Sequence, residues 1–194
     1  MDINIIKSEI NTNILGQTIE VYDIIDSTQS ELKRRNNIAN GTIIIAEEQS
    51  SGKGTHGRVW YSDSKNKNIA MSFVLFPNCN IKKLKNITMT IAECIIETFA
   101  KLYDVNLEIK VPNDIVINSK KIGGILTETR LQGERVVRLY VGIGINVLQE
   151  KFNDNIKQIA SSIYNEFNIK CSREKVIAKF LNIFEARYLK MMED

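Results

Sequence analysis

Residues 50–60 read Ser-Ser-Gly-Lys-Gly-Thr-His-Gly-Arg-Val-Trp and follow an apolar run at 42–46, Thr-Ile-Ile-Ile-Ala. The apolar run predicts a buried strand that delivers the glycine-rich segment to the edge of a sheet. Three glycines within six positions leave backbone N–H groups accessible, and Lys53 and Arg58 add positive charge. Such a segment suits a polyanion such as a nucleotide phosphate. A mobile glycine-rich hairpin without function is an equal alternative on this segment alone.

The composition is that of one globular domain. The chain has 194 residues, 43% of them hydrophobic, which is ample for a packed core. We expect a cytoplasmic protein, because neither a signal peptide nor a stretch of roughly 18 apolar residues is visible. Cys79, Cys94 and Cys171 are widely spaced, which predicts free thiols and neither disulfides nor a zinc site. The net charge of +3 is evenly spread, so nucleic-acid binding is a less favoured class.

The patterning predicts an α+β fold with a mainly antiparallel sheet flanked by helices. Strands are predicted at 18–22, 42–48, 69–76, 107–110, 115–118, 122–131 and 136–147, with turns at 118–119 and 132–133. A capping box of Thr28 and Glu31 predicts a helix that Gly41 ends. Further helices are predicted at 81–102, near 155–167 and at 173–191. Regular βαβ alternation is missing, which argues against a dinucleotide-binding fold.

Three further segments carry unusual residues next to strands. Residues 110–114 read Lys-Val-Pro-Asn-Asp, residues 120–126 read Lys-Lys-Ile-Gly-Gly-Ile-Leu, and residues 141–147 read Val-Gly-Ile-Gly-Ile-Asn-Val. Glycines inside strands often mark the close approach of a ligand, and alternating glycines leave one face bare for a ring system. Each segment also has an ordinary explanation, namely a turn, a β-bulge or a sheet face crowded by a helix.

Taken together, these motifs resemble the catalytic domain of biotin–protein ligases. The resemblance also includes Asp26-Ser27-Thr28 and Gln49, and it covers about residues 20–148 in the family's order and spacing. It implies a mixed sheet flanked by helices, related to the class II aminoacyl-tRNA synthetase and lipoate ligase catalytic domains. It also implies a ligase that uses ATP and Mg²⁺ to form biotinyl-5′-AMP and then biotinylates a lysine of a biotin carboxyl carrier protein.

The resemblance assigns roles to individual residues. The catalytic group would be Lys121, Arg58, Lys110 and Asp114, with Lys121 at the reacting oxygens. The biotin-binding group would be Ser27, Thr28, Gln49, Lys53, Gly124 and Gly142. The ATP or adenylate group would be Gly52, Lys53, Gly54, Arg58, Trp60, Lys121 and Asn146. No resident metal site is expected.

This sequence departs from the family pattern in the glycine-rich loop. The family loop usually reads Gly-Arg-Gly-Arg-x-Gly-Arg, so Lys53 and Thr55 replace two arginines, and the loss of charge at Thr55 predicts a leakier adenylate. His56 lies at a variable position and is expected to be a solvated surface residue.

The sequence also leads to expectations about the extent of the domain and about alternative functions. We expect a single domain over 1–194, without DNA binding, without membrane association and without the family's small C-terminal β-domain. A homodimer is reasonable if a sheet edge is exposed. The alternatives are a lipoate ligase, a non-catalytic biotin- or adenylate-binding protein, and a nucleic-acid module.

Overall fold

The computed structural model describes residues 1–61 and 65–193, and one sheet organises this part of the chain. Its strands are β1 (Ile19–Ile25), β2 (Ile43–Gln49), β3 (Ile69–Leu75), β4 (Cys79–Asn80), β5 (Glu108–Lys110), β6 (Asp114–Ile117), β7 (Lys120–Gln132) and β8 (Arg135–Ile145). The order across the sheet is β1-β2-β3-β8-β7-β6-β5, and β4 pairs with β8. The pair β1–β2 is parallel, whereas the other pairs are antiparallel. The predicted α+β fold with a mainly antiparallel sheet is confirmed.

The helices lie on both faces of the sheet. They are α1 (Ile3–Glu9), α2 (Thr28–Arg34), α3 (Ile87–Tyr103), α4 (Ile163–Phe167) and α5 (Arg173–Glu193). Helices α3 and α5 cover the large core, and α1 packs on α5. Helix α2 lies on the opposite face, where Leu32 joins a small cluster with Ile44, Val74 and Tyr140.

Several predicted boundaries were wrong for local reasons. The cap of α2 is Ser27, whose hydroxyl accepts a hydrogen bond from Ser30 N at 3.3 Å, and not Thr28. The helix ends at Arg34, because Arg35 is already extended, and not near Gly41. The helix predicted from residue 155 begins only at Ile163.

Strand alternation gives β3 and β8 two different faces. The face toward α3 and α5 is large and apolar, with Met71, Phe73, Val141 and Ile143. On the other face, Ser72 is opposite Gly142 and Ala70 is opposite Gly144. Small side chains therefore leave a depression on the face that carries α2.

Two of the three cysteines are buried thiols. Cys79, Cys94 and Cys171 are free. Burial raises the pKa of Cys94 to about 12 and that of Cys171 to about 11, so both remain thiols at neutral pH. Within residues 1–61 and 65–193, none of the helices is both long enough and apolar enough to cross a membrane.

A buried ion pair fixes α5 to the sheet. Arg173 Nη1 lies 2.6 Å from Glu47 Oε2 and 3.0 Å from the carbonyl oxygen of Asn68. The Asn68 side chain in turn accepts a hydrogen bond from Val147 N at 3.1 Å. Burial raises the pKa of Glu47, but hydrogen bonds, chiefly from Arg173, hold it below its ordinary value. The stabilisation by this carboxylate is therefore complete at neutral pH and is lost as the pH falls through the folded-state pKa.

Replacing Arg173 by methionine is expected to lower the free energy of unfolding by about 3 kcal/mol, because buried Glu47 would keep only the N-terminal ammonium of Met1 as a charged partner. Urea denaturation followed by circular dichroism measures the change. Lys157→Met is the control, because the Lys157–Asp154 pair is exposed and should contribute under about 1 kcal/mol. Equal losses in the two variants would contradict the assignment.

Candidate active site

A cleft of ≈ 720 Å³ opens on the face of the sheet that carries α2. Its floor includes Ser72, Gly142, Gly144 and Gly124, which are the small residues of β3, β8 and β7. Its walls are the start of α2, the glycine-rich loop, the β5–β6 turn and the connector 149–160. The bare strand face that the glycine spacing predicted is the floor of this cleft.

One end of the cleft is lined by hydroxyl and amide groups. Gln49 Oε1 accepts hydrogen bonds from Thr28 N at 2.8 Å and from Thr28 Oγ1 at 3.1 Å. Thr28 Oγ1 also lies 2.8 Å from Ser72 Oγ. Ser27 lines the same end while its hydroxyl caps α2. This polar end, defined by Ser27, Thr28, Gln49 and Ser72, offers paired donors and acceptors to an amide-like ligand group.

The glycine-rich loop is a short ladder that folds over the cleft. Trp60 N donates to Gly52 O at 2.9 Å, and Gly54 N donates to Arg58 O at 2.8 Å. Arg58 N donates to Thr55 O at 3.2 Å, so three backbone N–H groups serve the loop itself. The loop therefore offers fewer free amides to an anion than its glycine content predicts.

Gly52 supports the loop and does not line the cleft. A Cβ atom on this residue would lie 2.3 Å from the carbonyl oxygen of Trp60, which real structures do not tolerate. Gly52 therefore acts by allowing the backbone to approach Trp60. The other predicted site residues do line the cleft; they are Ser27, Thr28, Gln49, Lys53, Gly54, Arg58, Trp60, Lys110, Asp114, Lys121, Gly124, Gly142 and Asn146. His56 is exposed, as expected.

The indole of Trp60 covers the strand face that the alternating glycines predicted to be free for a ring system. A Cβ atom on Gly144 would lie 2.4 Å from Trp60 Cε2, and one on Gly124 would lie 3.3 Å from Trp60 Cζ3. Lys121 Nζ lies 5.7 Å from the centre of the indole, within cation–π range. The indole Nε1 is buried and has no hydrogen-bond partner among the described residues. The aromatic ring on this strand face is therefore a side chain of the protein, Trp60.

Another part of the cleft, beside the β5–β6 turn, carries Lys110, Lys121 and Asp114 and is called the cationic end. Lys121 Nζ lies 2.6 Å from Asp114 Oδ1. Asn113 fixes the turn beside this pair, because its Nδ2 donates to Ile125 O at 2.9 Å and its carbonyl accepts from Ile125 N at 2.9 Å. The charged residues of the lining, within the described residues, are Lys53, Arg58, Lys110, Lys121 and Asp114. Four cations against one carboxylate favour an anionic ligand.

The connector 149–160 forms a wall that the sequence reasoning missed. Lys121 N donates to Ile159 O at 2.7 Å, and Ser161 N donates to Lys121 O at 3.0 Å, which ties the connector to the start of β7. Phe152 and Ile156 line the cleft. Their spacing with Ile159 imitates a helix, which explains the wrong helix from residue 155. Ser72 was also missed, although a hydroxyl in the apolar strand 69–75 was a usable signal.

Comparisons with known proteins agree with this geometry. The model of the biotin/lipoate A/B protein ligase family matches residues 21–146. The chain is 36% identical over 187 residues to the bifunctional ligase/repressor BirA of Bacillus subtilis (strain 168), covering 94% of this chain and 57% of BirA. It is 26% identical over 178 residues to BirA of Escherichia coli (strain K12), covering 89% and 55%. The chain thus spans a little over half the length of these curated relatives.

A solved structure shares the fold. The biotin protein ligase from Aquifex aeolicus in complex with biotin and ATP superposes with a TM-score of 0.79 at 29% identity, covering 92% of this chain and 73% of that one. The fold is that of a biotin protein ligase catalytic domain. The chain belongs to the biotin/lipoate A/B protein ligase family, as its motifs suggested.

Gly144→Ala is expected to displace the indole of Trp60, because the new methyl group would overlap the ring. Trp60 is the single tryptophan of the chain, so its fluorescence emission should shift to longer wavelength as the ring enters water. The control Gly57→Asn lies in the same loop at φ +73°, where asparagine is tolerated and no atom lies within 4 Å of the new Cβ. An unchanged spectrum in Gly144→Ala would refute the contact.

Proposed function

We propose that this chain is an ATP-dependent biotin–protein ligase. A carboxylate oxygen of biotin attacks the α-phosphorus of ATP, and the bond to pyrophosphate breaks, which gives biotinyl-5′-AMP. The amine of an acceptor lysine then attacks the acyl carbon of this anhydride. AMP leaves, the nitrogen loses its proton, and an amide remains.

The observation that carries this proposal is the division of one cleft into a polar end and a cationic end. Gly142 borders the polar end, where an added Cβ would meet Gln29 and Ser72, and Gly144 lies under Trp60. The two glycines are two residues apart on β8, which corresponds to about 7 Å along a strand. A ligand with a urea ring at one end and a carboxylate at the other matches this spacing.

The cations of the cleft would offset the charge repulsion between the two substrates of the first step. The biotin carboxylate and the ATP triphosphate repel each other, so positive groups must bring them together. Lys53, Arg58, Lys110 and Lys121 supply that charge, and Asp114 orients Lys121 through their 2.6 Å contact. Mg²⁺ is commonly held by one or two carboxylates together with substrate phosphates. Asp114 fits that role for an ion that arrives with ATP, and the described residues contain no cluster of three metal ligands.

The nucleotide base would lie between the loop and the connector. Trp60 supplies an aromatic surface there, and Phe152 and Ile156 supply an apolar wall. Asn146 Nδ2 donates to Ser161 O at 3.0 Å, so its Oδ1 is the atom left to accept from the amino group of adenine. The names of the relatives support biotin and ATP as ligands, because the Aquifex aeolicus enzyme is described in complex with both.

The proposal also names an acceptor and leaves two alternative functions to be tested. A biotin carboxyl carrier protein in the cytoplasm is the proposed acceptor. The family name also covers lipoate ligases, but the polar end suits a urea ring better than an apolar dithiolane. A non-catalytic biotin- or adenylate-binding protein would keep the polar end and bind biotin without activating it.

Lys121→Ala is expected to reduce biotin-dependent exchange of labelled pyrophosphate into ATP on the order of 10²–10³-fold, because it removes a charge at the reacting phosphate. Lys120→Ala is the matched control, because this adjacent lysine contacts Glu166 at 3.3 Å, away from the cleft. Its exchange rate should stay near that of the wild type. Lipoate is assayed in parallel.

The outcomes separate the candidate functions. Exchange with biotin that depends on Lys121 supports the ligase. Biotin binding without exchange would assign the chain to the non-catalytic class, and exchange with lipoate in place of biotin would assign it to the lipoate ligases.

Thr55→Arg is expected to reduce biotinylation of lysines on unrelated proteins, because a cation at this cleft-lining position would retain the adenylate. Labelling of serum albumin by the two enzymes, measured with streptavidin blots, gives the comparison. Thr55→Gln controls for side-chain size, and equal labelling by all three proteins would refute the role of the missing charge.

A further inference from the structure

Gln29 is a buried polar residue of the cleft that the reaction scheme above does not use. It lies in the first turn of α2, is 3% exposed and lines the cleft. Its Oε1 atom is buried and has no hydrogen-bond partner among the described residues. Buried carbonyl oxygens are nearly always paired, so an unpaired one in a ligand cleft needs an explanation.

Gln29 Oε1 lies at the floor of the polar end of the cleft, next to Gly142. A Cβ atom on Gly142 would lie 3.0 Å from Gln29 Oε1 and 3.4 Å from Ser72 Oγ. The absence of a side chain at Gly142 is therefore what gives the Gln29 oxygen its room. Ser72 itself is already engaged with Thr28 at 2.8 Å.

The orientation of the Gln29 amide is fixed from outside the cleft. Gln29 Nε2 donates to Glu128 Oε2 at 3.1 Å, and Lys33 Nζ lies 2.6 Å from Glu128 Oε1. Burial raises the pKa of Glu128, but the hydrogen bonds from Lys33 and Gln29 hold it below its ordinary value. An ionised carboxylate only accepts hydrogen bonds, so it must face the Nε2 side of the amide. The Oε1 side is thereby turned toward Gly142.

We infer that Gln29 is a specificity-determining residue whose Oε1 accepts a hydrogen bond from an N–H group of the ligand ring. Glu128 and Lys33 act as positioning residues that prevent the amide from turning over. This inference rests on the proposed function and extends it to the choice of acyl group. The urea ring of biotin carries two N–H donors, whereas the dithiolane ring of lipoate carries none and would leave Oε1 unpaired.

The test is a binding cycle between protein and ligand variants, measured by isothermal titration calorimetry. The ligands are biotin, the two biotins methylated at one or the other urea nitrogen, and lipoate. The proteins are the wild type, Gln29→Met, which keeps the chain length without the acceptor, and Glu128→Gln, which leaves Gln29 in place but permits the amide to turn over. Glu134→Gln, at the turn between β7 and β8, is the control for a lost carboxylate on the same hairpin.

The expected result is a loss of affinity for biotin of about tenfold in Gln29→Met, with unchanged or improved affinity for lipoate. One of the two N-methylated biotins should bind the wild type weakly and should lose little further affinity in Gln29→Met. Glu128→Gln should show the same pattern in smaller degree, and Glu134→Gln should match the wild type.

The outcomes distinguish this inference from the proposed function. Wild-type protein that binds biotin, with Gln29→Met weakening all ligands equally, would overturn the inference alone and leave a structural role. Should Gln29→Met fail to fold, absence of the pattern in Glu128→Gln would overturn it. Wild-type protein that prefers lipoate would overturn both the inference and the proposed substrate.

Discussion

The register between β3, β8 and β7 is the constraint on which both the core and the cleft depend. Because side chains alternate along a strand, the pairing that opposes Ser72 with Gly142 also turns Phe73 and Val141 toward the helices. A shift by one residue would bury the glycines and expose the apolar set. The same pairing therefore determines the stability of the domain and the shape of its cleft.

Much of the fold could be predicted, because strand alternation and glycine spacing are local signals. The strand predicted at 69–76 and the turn at 118–119 are recognisable without tertiary information, and the structure has the strand at Ile69–Leu75 and the turn where it was predicted. The prediction for the connector 149–160 was wrong because its structure depends on tertiary contacts. Its apolar residues repeat with helical spacing, but Phe152 and Ile156 face a cleft that only the folded sheet creates. Helix α1 was not predicted at all.

Site residues that belong to a sequence motif could be predicted. Residues whose role depends on burial in the folded protein could not. Lys121 and Asp114 stand in separate segments that the resemblance assigned to one catalytic group, and the pairing of β6 with β7 brings them into contact. Gln29 carried no such signal, since its importance lies in an oxygen left unpaired by its neighbours. The close approach of Gly52 to the backbone of Trp60 was hidden for a related reason, because only the folded loop brings the two together.

The indole of Trp60 already covers the backbone of Gly144 before any ligand arrives. A ligand ring that stacked on this indole would bury the surface of Trp60 and would leave the strand beneath it unchanged. The negative heat-capacity change of binding scales with newly buried apolar area. The heat-capacity change for such a ring would therefore report the area of Trp60 that it covers and not the glycine-lined floor.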